Sequence, residues 1–303
     1  MRKTLLKGSL YAVVLMVLMA FDQPAETPLE TINRTTEAEE IAPTQICTVN
    51  NHAFKAGEVL TYKLYYNWNF VWVAAGEVKF RVRDQGDMYQ LSAHGSTYRS
   101  YEWFYTVRDK YDTFVDKETM LPIISIRDIH EGKYRLYDKI TFDRRKNIAE
   151  SFRGKSLATA KTTKYDIEPC MHDILSIIYS SRNVDFNGLK KGDKVPVKIF
   201  VDEKTWPIKV TYRGRDSNKK IKGQGRFRTI QFSPRVGGNF YFDDDTEMKV
   251  WVSDDKNRIP LMIESPLSVG SVKAVLKDYK GLKHELTAMV EKNKNTKDDD
   301  LDR

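Results

Sequence analysis

Alternation of apolar and polar residues dominates the middle of the chain. Val78, Phe80 and Val82 are separated by Lys79 and Arg81. A period of two places successive side chains on opposite faces of a β-strand, so each such segment predicts a strand with one buried face. Polar turn-forming strings at 84–87, 143–147, 214–220 and 254–257 separate several of these segments. Half-buried strands joined by short turns favour antiparallel pairing. Similar alternation recurs at 60–66, 89–94, 133–142, 195–201, 208–212, 248–252, 259–263 and 272–276.

One segment has helical periodicity instead. Met171, Ile174, Leu175 and Ile178 follow the spacing i, i+3, i+4 and i+7, which forms a single apolar stripe on a helix. A shorter helix or irregular turn is predicted near 96–105. The predicted fold is therefore mainly β: a large curved antiparallel sheet, or an open or half barrel, with one amphipathic helix packed on it. The alternation does not decide whether the sheet closes.

The two ends of the chain differ in composition from the middle. Residues 1–20 combine Arg2, Lys3 and Lys7 with an apolar run that is too short to cross a bilayer, which is typical of a signal peptide. An uncleaved N-terminal anchor is the alternative. Residues 21–46 are rich in Thr, Glu and Pro and predict a flexible leader. Residues 47–288 are predicted to form a single domain, and residues 289–303 a disordered charged tail. The expected location is the periplasm or another exported compartment, with a soluble mature chain that has no transmembrane segment.

The net charge of +8 with a pI of about 9.1 raises the question of nucleic-acid binding. The basic residues are spread along many predicted strands, whereas a nucleic-acid footprint needs a cluster. Removal of residues 1–20 would also take away three positive charges. Nucleic acid is therefore not predicted as a partner.

The chain has two cysteines, Cys47 and Cys170. An even pair in an exported protein predicts a disulfide between them. Two unlinked buried thiols are the alternative. Cys170 with the nearby His172 also suggests a nucleophilic site, but neither cysteine has a motif around it that supports this interpretation.

No pattern in the chain identifies a catalytic centre, a metal site or a cofactor. The five histidines show no metal-ligand spacing, and neither cysteine belongs to a C-x-x-C pair. The "SNKK" string at 217–220 lacks the other motifs of S-x-x-K enzymes. The acidic string at 243–247 resembles a turn more than a calcium loop. We therefore predict no cofactor and no catalytic residue.

The strongest feature is the aromatic stretch at 65–80. Tyr66, Trp68, Phe70 and Trp72 share one face if the segment stays extended. Filling a core explains four such rings, because each contributes about 2–3 kcal/mol when buried. The small residues at 74–76 leave room beside them, so a ligand cavity lined by these four side chains is the competing hypothesis.

Five blocks of the chain resemble domain of unknown function 3108, in the form found in exported Bacteroides-type proteins. They are "FKAGEVLTYKLYYNWNFVWVAAGEVKFRV", "TVRDKYDTFVDKETMLP", "CMHDILSIIYSSRNVDF", "LKKGDKVPVKIFVD" and "MKVWVSDDKNRIPLMIESPLSVGSVKAVLKDYKGL". The resemblance implies a largely β protein of a Gram-negative cell envelope. It brings no activity, substrate or site residue.

The functional hypothesis is accordingly broad. We expect an exported envelope protein, most simply a non-enzymatic binding or carrier protein for an apolar ligand such as a lipid. A structural or assembly factor that binds another envelope protein is one alternative, and an enzyme with an unrecognised site is another. The sequence does not indicate the oligomeric state.

Overall fold

A single antiparallel sheet forms the body of the protein. The structure, a computed structural model, describes residues 49–68, 71–236, 247–266 and 270–293, and the side chains of Trp68 and Val236 are not included. The strands are β1 (Val59–Trp68), β2 (Val71–Gln85), β3 (Met88–Thr97), β4 (Arg108–Asp116), β5 (Pro122–Glu131), β6 (Tyr134–Asp143), β7 (Ile148–Gly154), β8 (Lys161–Asp166), β9 (Lys194–Val201), β10 (Lys204–Ile221), β11 (Gly225–Val236), β12 (Lys249–Ser253), β13 (Pro260–Pro266), β14 (Ser271–Lys280) and β15 (Met289–Lys292).

From β1 to β14, strands that follow one another in the chain are neighbours in the sheet, except that β8 and β9 form its two edges and β14 lies beside β1. It runs β9 to β14 in chain order, then β1 to β8, so that β1 pairs with β14 at the centre of the sheet. Strand β15 pairs with the start of β11 outside this path. All strand pairs are antiparallel, as the sequence predicts.

The sheet curves without closing. Its two edges, β8 and β9, do not pair with each other. Strand β9 nevertheless meets the other edge, because Phe200 packs 5.7 Å from Tyr165 of β8 and 6.4 Å from Phe142 of β6, measured between ring centroids. The predicted fold class is confirmed, and the sheet is open.

One α-helix, α1 (Ile174–Ser181), connects the two edges and packs inside the curve against β3, β4 and β9. Asp173 caps its N-terminus through the backbone N–H of Ser176 at 3.0 Å, so the chain has a capping box here. The second oxygen of Asp173 accepts bonds from Thr113 Oγ1 at 2.5 Å and Ser125 Oγ at 2.8 Å. The helix is thereby fixed to β4 and β5. A short 3-10 helix at Arg99–Tyr101 lies where the sequence predicts a shorter helix or turn.

A buried ion pair holds the C-terminal end of α1. Arg182 donates to both carboxylate oxygens of Glu58, at 2.6 and 2.9 Å. The exposed fractions are 3% for Arg182 and 0% for Glu58. Both ends of the helix are thus tied to surrounding strands and loops by buried polar contacts.

The predicted domain boundaries at residues 46–47 and 288–289 can be compared with the described residues. Residues 1–46 and Cys47 lie outside the described residues, so the signal peptide, the leader and the disulfide stay predictions. At the other end, Met289–Lys292 form β15, within the segment that the sequence assigns to the tail. Ala288, directly before it, is fully buried.

Candidate functional site: an apolar cavity beneath the helix

The interior between α1 and half of the sheet contains a cavity of about 210 Å³. Its walls come from α1 and from the inner faces of β1, β2 and β9 to β14. Among the described lining residues only Ser181, Arg182 and Arg258 are neither apolar nor aromatic. A cavity with such walls favours a ligand that is mainly hydrocarbon.

The alternation seen in the sequence builds the sheet side of this cavity. Val195 and Val197 of β9 face inward, and Ile208 and Val210 of β10 do the same. Their neighbours Lys198 and Lys209 are exposed. The period of two therefore supplies an apolar wall and a charged outer face from the same strands.

Several wall residues are only partly buried although they face the interior. Phe80, Ile178, Val197, Val210 and Ile263 pack against the main core, yet each keeps a partly exposed surface. Side chains in a close-packed core are normally covered on all sides. Their residual exposure follows from the cavity that they border.

Arg182 is the first of two arginines in the wall, and all of its donor groups are used. Besides Glu58, it donates from Nε to the backbone oxygen of Asn257 at 3.0 Å. Its guanidinium lies 5.4 Å from the ring centroids of Phe54 and Tyr179. Arg182 is therefore a structural residue in the wall of the cavity.

Arg258 is the second arginine, and its situation differs. It lies in the β12–β13 turn in the left-handed region, with φ of 47°. Its Nη1 is buried and has no hydrogen-bond partner among the described residues. Burial lowers the pKa of Arg258, while Asp254 and Asp185 work to raise it. The hydroxyl of Tyr179, another wall residue, is likewise buried without a partner among the described residues.

The other half of the interior contains a group of ion pairs beside buried apolar residues. Arg127 of β5 donates to Asp202 at 2.6 Å and also bonds Asp138, and Arg153 of β7 bonds the same two carboxylates at 2.6 and 3.1 Å. Burial works to lower the pKa of Arg127, but Asp202 and Asp138 raise it well above its ordinary value. Burial likewise works to raise the pKa of Asp202, but Arg127 and Arg153 hold it below its ordinary range. These charges compensate one another and join the β9–β10 turn to β5, β6 and β7.

A second cleft lies at the ends of β6 to β8 and has a larger volume, about 740 Å³. Basic and polar residues line it, and its Arg153 is already engaged in the ion-pair network described above. Of these two sites, the cavity beneath α1 therefore offers the apolar environment for ligand surface. The lining of the second cleft includes Lys133, Arg135, Arg153, Lys155, Lys161 and Glu203.

Two of the four aromatic residues predicted to line a ligand cavity, Tyr66 and Trp72, lie on different strands. Tyr66 lies on β1 opposite Val73, and Trp72 lies on β2 opposite Asn67, which places Tyr66 and Trp72 on opposite faces. Tyr66 is buried in a small cluster with Ala75, Tyr101 and Val272. Trp72 is 38% exposed. Neither lines the cavity beneath α1.

The other two aromatic residues of the predicted set are Trp68 and Phe70. Phe70 and the side chain of Trp68 lie outside the described residues. Their predicted role stays a prediction.

Sequence reasoning did not identify the two arginines of the wall. Arg182 follows the helix and Arg258 follows a polar turn, and nothing in the spacing of either residue distinguishes it from a solvent-exposed arginine. The alternation in the sequence did predict the apolar faces of the wall strands. It could not show that β1 and β2 border the same cavity as β9 to β14, because this depends on the pairing of β1 with β14.

The chain matches the model of the family "Protein of unknown function (DUF3108)" over residues 61–277. It belongs to this family, as the resemblance of its sequence blocks indicates. No protein among the curated ones matches it.

Two solved structures are similar to the chain. A beta-barrel-like protein of domain of unknown function DUF1849 from Brucella abortus has a TM-score of 0.52 at 9% identity, covering 75% of this chain and 98% of that protein. A protein with a YmcC-like fold from Bacteroides fragilis has a TM-score of 0.30 at 10% identity, covering 77% and 99%. At 9% identity the first similarity concerns the fold alone. Within the described ranges no helix is both long and apolar enough to cross a membrane.

Proposed function

We infer that this protein is an exported, non-enzymatic binding or carrier protein whose ligand is largely hydrocarbon. The observation that carries the proposal is the cavity of about 210 Å³ with an almost wholly apolar wall. A fixed helix forms one side of it, so the cavity does not depend on a mobile segment to exist. Export rests on the signal-like residues 1–20.

The test is the binding of a neutral fluorescent naphthylamine probe to the purified mature chain. Val210→Phe and Ala274→Phe each place a larger side chain in the cavity, and each should weaken probe binding by at least tenfold. Added bulk in a packed core costs about 1–3 kcal/mol, so a cavity should accept it at lower cost. Thermal unfolding checks that the variants are folded.

Two variants serve as controls. Lys209→Phe adds the same ring on the same strand, at an exposed position next to Val210. Trp72→Ala removes an aromatic ring that does not line the cavity. Both should bind the probe like the wild type. Equal binding by all four variants would contradict the proposal.

A second candidate function is that of an envelope factor that binds another protein. The observation in its favour is a set of exposed apolar side chains, two of which, Val71 and Val73, share one face of β2, since exposed apolar surface marks interaction sites. Co-purification from envelope extracts with the wild type, but not with a Trp72→Ser, Trp103→Ser variant, would support it. The side chains are Val71, Trp72, Val73 and Trp103, which are 61%, 38%, 43% and 84% exposed.

A further inference from the structure

Arg258 brings a positive charge to the wall of an apolar cavity. Its guanidinium carbon lies 4.7 Å from the ring centroid of Phe186, another wall residue. A cation over an aromatic face is stabilised by the ring but keeps its capacity to donate hydrogen bonds. The buried Nη1 has no acceptor in the described part of the chain.

The other arginine of the wall, Arg182, does have hydrogen-bond acceptors within the chain. Arg182 meets a carboxylate with two hydrogen bonds and adds a backbone oxygen. Arg258 has neither of these partners among the described residues. Arg258 as a whole is only partly buried and lines the cavity, and the described residues supply no hydrogen-bond acceptor for its guanidinium, so a ligand in the cavity can supply one.

The acidic residues near Arg258 are already engaged elsewhere. Both oxygens of Asp254 accept from Arg215 at 2.9 Å. Asp255 accepts from a hydroxyl and from backbone amides, and Asp185 accepts from a backbone amide. These carboxylates moderate the local potential but do not bond the Arg258 guanidinium.

We propose that the cavity binds an acyl chain with an anionic carboxylate, and that Arg258 pairs with that carboxylate. The proposal rests on the proposed function, because it names the chemical class of the ligand for the same cavity. Arginine suits this role, since its planar guanidinium matches the geometry of a carboxylate. The apolar wall takes the hydrocarbon part.

The cavity volume limits the length of chain that it encloses. A dry apolar cavity of about 150 Å³ accommodates benzene, which has six carbon atoms. In the same proportion, 210 Å³ holds on the order of eight carbon atoms. Octanoate is therefore a suitable probe, and a longer chain would extend beyond this volume.

The experiment measures octanoate, 1-octanol and octylamine binding to the mature wild-type chain by calorimetry at neutral pH. The three probes share one chain and differ in headgroup charge. Octanoate should bind roughly tenfold or more tighter than octanol, because hydrogen bonds between charged partners are the strong class. Octylamine should bind most weakly.

Variants assign the preference to Arg258. Arg258→Met should abolish the difference between octanoate and octanol while leaving octanol binding within about twofold. Arg258→Lys, which keeps the charge, should keep part of the preference and covers the case in which the methionine variant does not fold. Arg83→Met makes the same change at an exposed position of β2 and should behave as the wild type.

Two outcomes separate the two levels of inference. If octanol and octanoate bind the wild type equally, the cavity binds apolar ligands but the carboxylate assignment is wrong. If none of the three probes binds, the proposed function fails, and this inference fails with it. A preference for octanoate that survives in Arg258→Met would assign the carboxylate to another residue.

Discussion

Asp109 of β4 is a buried carboxyl whose ionisation is coupled to folding. It is 2% exposed, interacts with the carboxyl of Glu131 and accepts the backbone N–H of His130 at 3.0 Å. Burial raises the pKa of Asp109 from an ordinary value of 3.8 to about 7, although the interactions with Glu131 and His130 work to lower it. The folded chain therefore keeps a proton that the unfolded chain releases.

The resulting prediction concerns stability between about pH 4 and pH 7. Below pH 4 both states hold the proton, and above pH 7 neither does. Between these limits the contribution of Asp109 to the free energy of unfolding falls as pH rises, at up to about 1.4 kcal/mol per pH unit. Asp109→Asn should remove this slope relative to the wild type, whereas Asp87→Asn, at an exposed position, should not. Urea unfolding at a series of pH values measures the free energy of unfolding. If this free energy changes with pH in the same way in the wild type and in Asp109→Asn, the prediction is contradicted.

A second prediction at the residue scale concerns Glu58. Removing one member of a buried ion pair leaves the other charge uncompensated, which costs about 3–5 kcal/mol. Glu58→Gln should therefore lower the free energy of unfolding by about that amount. Glu77, which pairs with Lys277 at the surface, offers a matched control, because exposed pairs contribute about 0–1 kcal/mol. Similar losses in Glu58→Gln and Glu77→Gln, measured by chemical denaturation, would refute this account.

The cap of α1 carries a prediction at the scale of the element. Asp173 accepts bonds from the helix and from Thr113 and Ser125, so Asp173→Ala removes the cap and leaves two buried hydroxyls without an acceptor. A lost cap alone costs about 0.5–2 kcal/mol, and the hydroxyls add to it. We expect a loss above 2 kcal/mol in thermal unfolding. Asp166→Ala, at an exposed position of β8, should change little.

The strands show which parts of the fold the sequence could predict. β2, β3, β6, β9, β10, β13 and β14 have apolar residues on their inner faces, and their alternation predicts them. β4 and β5 are mixed, because their inner faces combine apolar residues with Asp109, Thr113, Ser125, Arg127 and Glu131. Polar side chains that pair with one another inside the protein look like surface positions in the sequence. For this reason the ion-pair half of the interior was not predicted.

The edges of the sheet also bear on the choice between functions. β8 is exposed along most of its length and carries Lys161 and Lys164, which disfavour pairing with another strand. His172 of the segment before α1 forms a parallel bridge with Ile199 of β9 and covers part of the other edge. Strand addition by a partner is thus opposed at both edges, so a protein partner would have to use the exposed apolar side chains instead.

At the scale of the whole molecule, the predicted Cys47–Cys170 bond links the segment before the sheet to the start of α1. Cys170 has φ of 64° and lies directly before the residues that pair with β9. A bond between the two would close a loop of about 123 residues, which in the chain-entropy model is worth roughly 4–5 kcal/mol. Denatured, unreduced protein from the native compartment should bind no thiol reagent. Two labelled thiols per chain would exclude the bond.

The position of β1 has a consequence for synthesis of the chain. One of its neighbours, β2, follows at once, but the other, β14, is made last: Val59 pairs with Lys280, 221 residues later. Closing so long a loop costs about 2 kcal/mol more than closing one of 20 residues. Until then β1, with four aromatic residues among its ten, presents an open edge to other nascent chains. The interval in which this edge stays open is therefore set by the delay before the second half of the sheet reaches the compartment in which the chain folds, and lengthening that delay should increase aggregation.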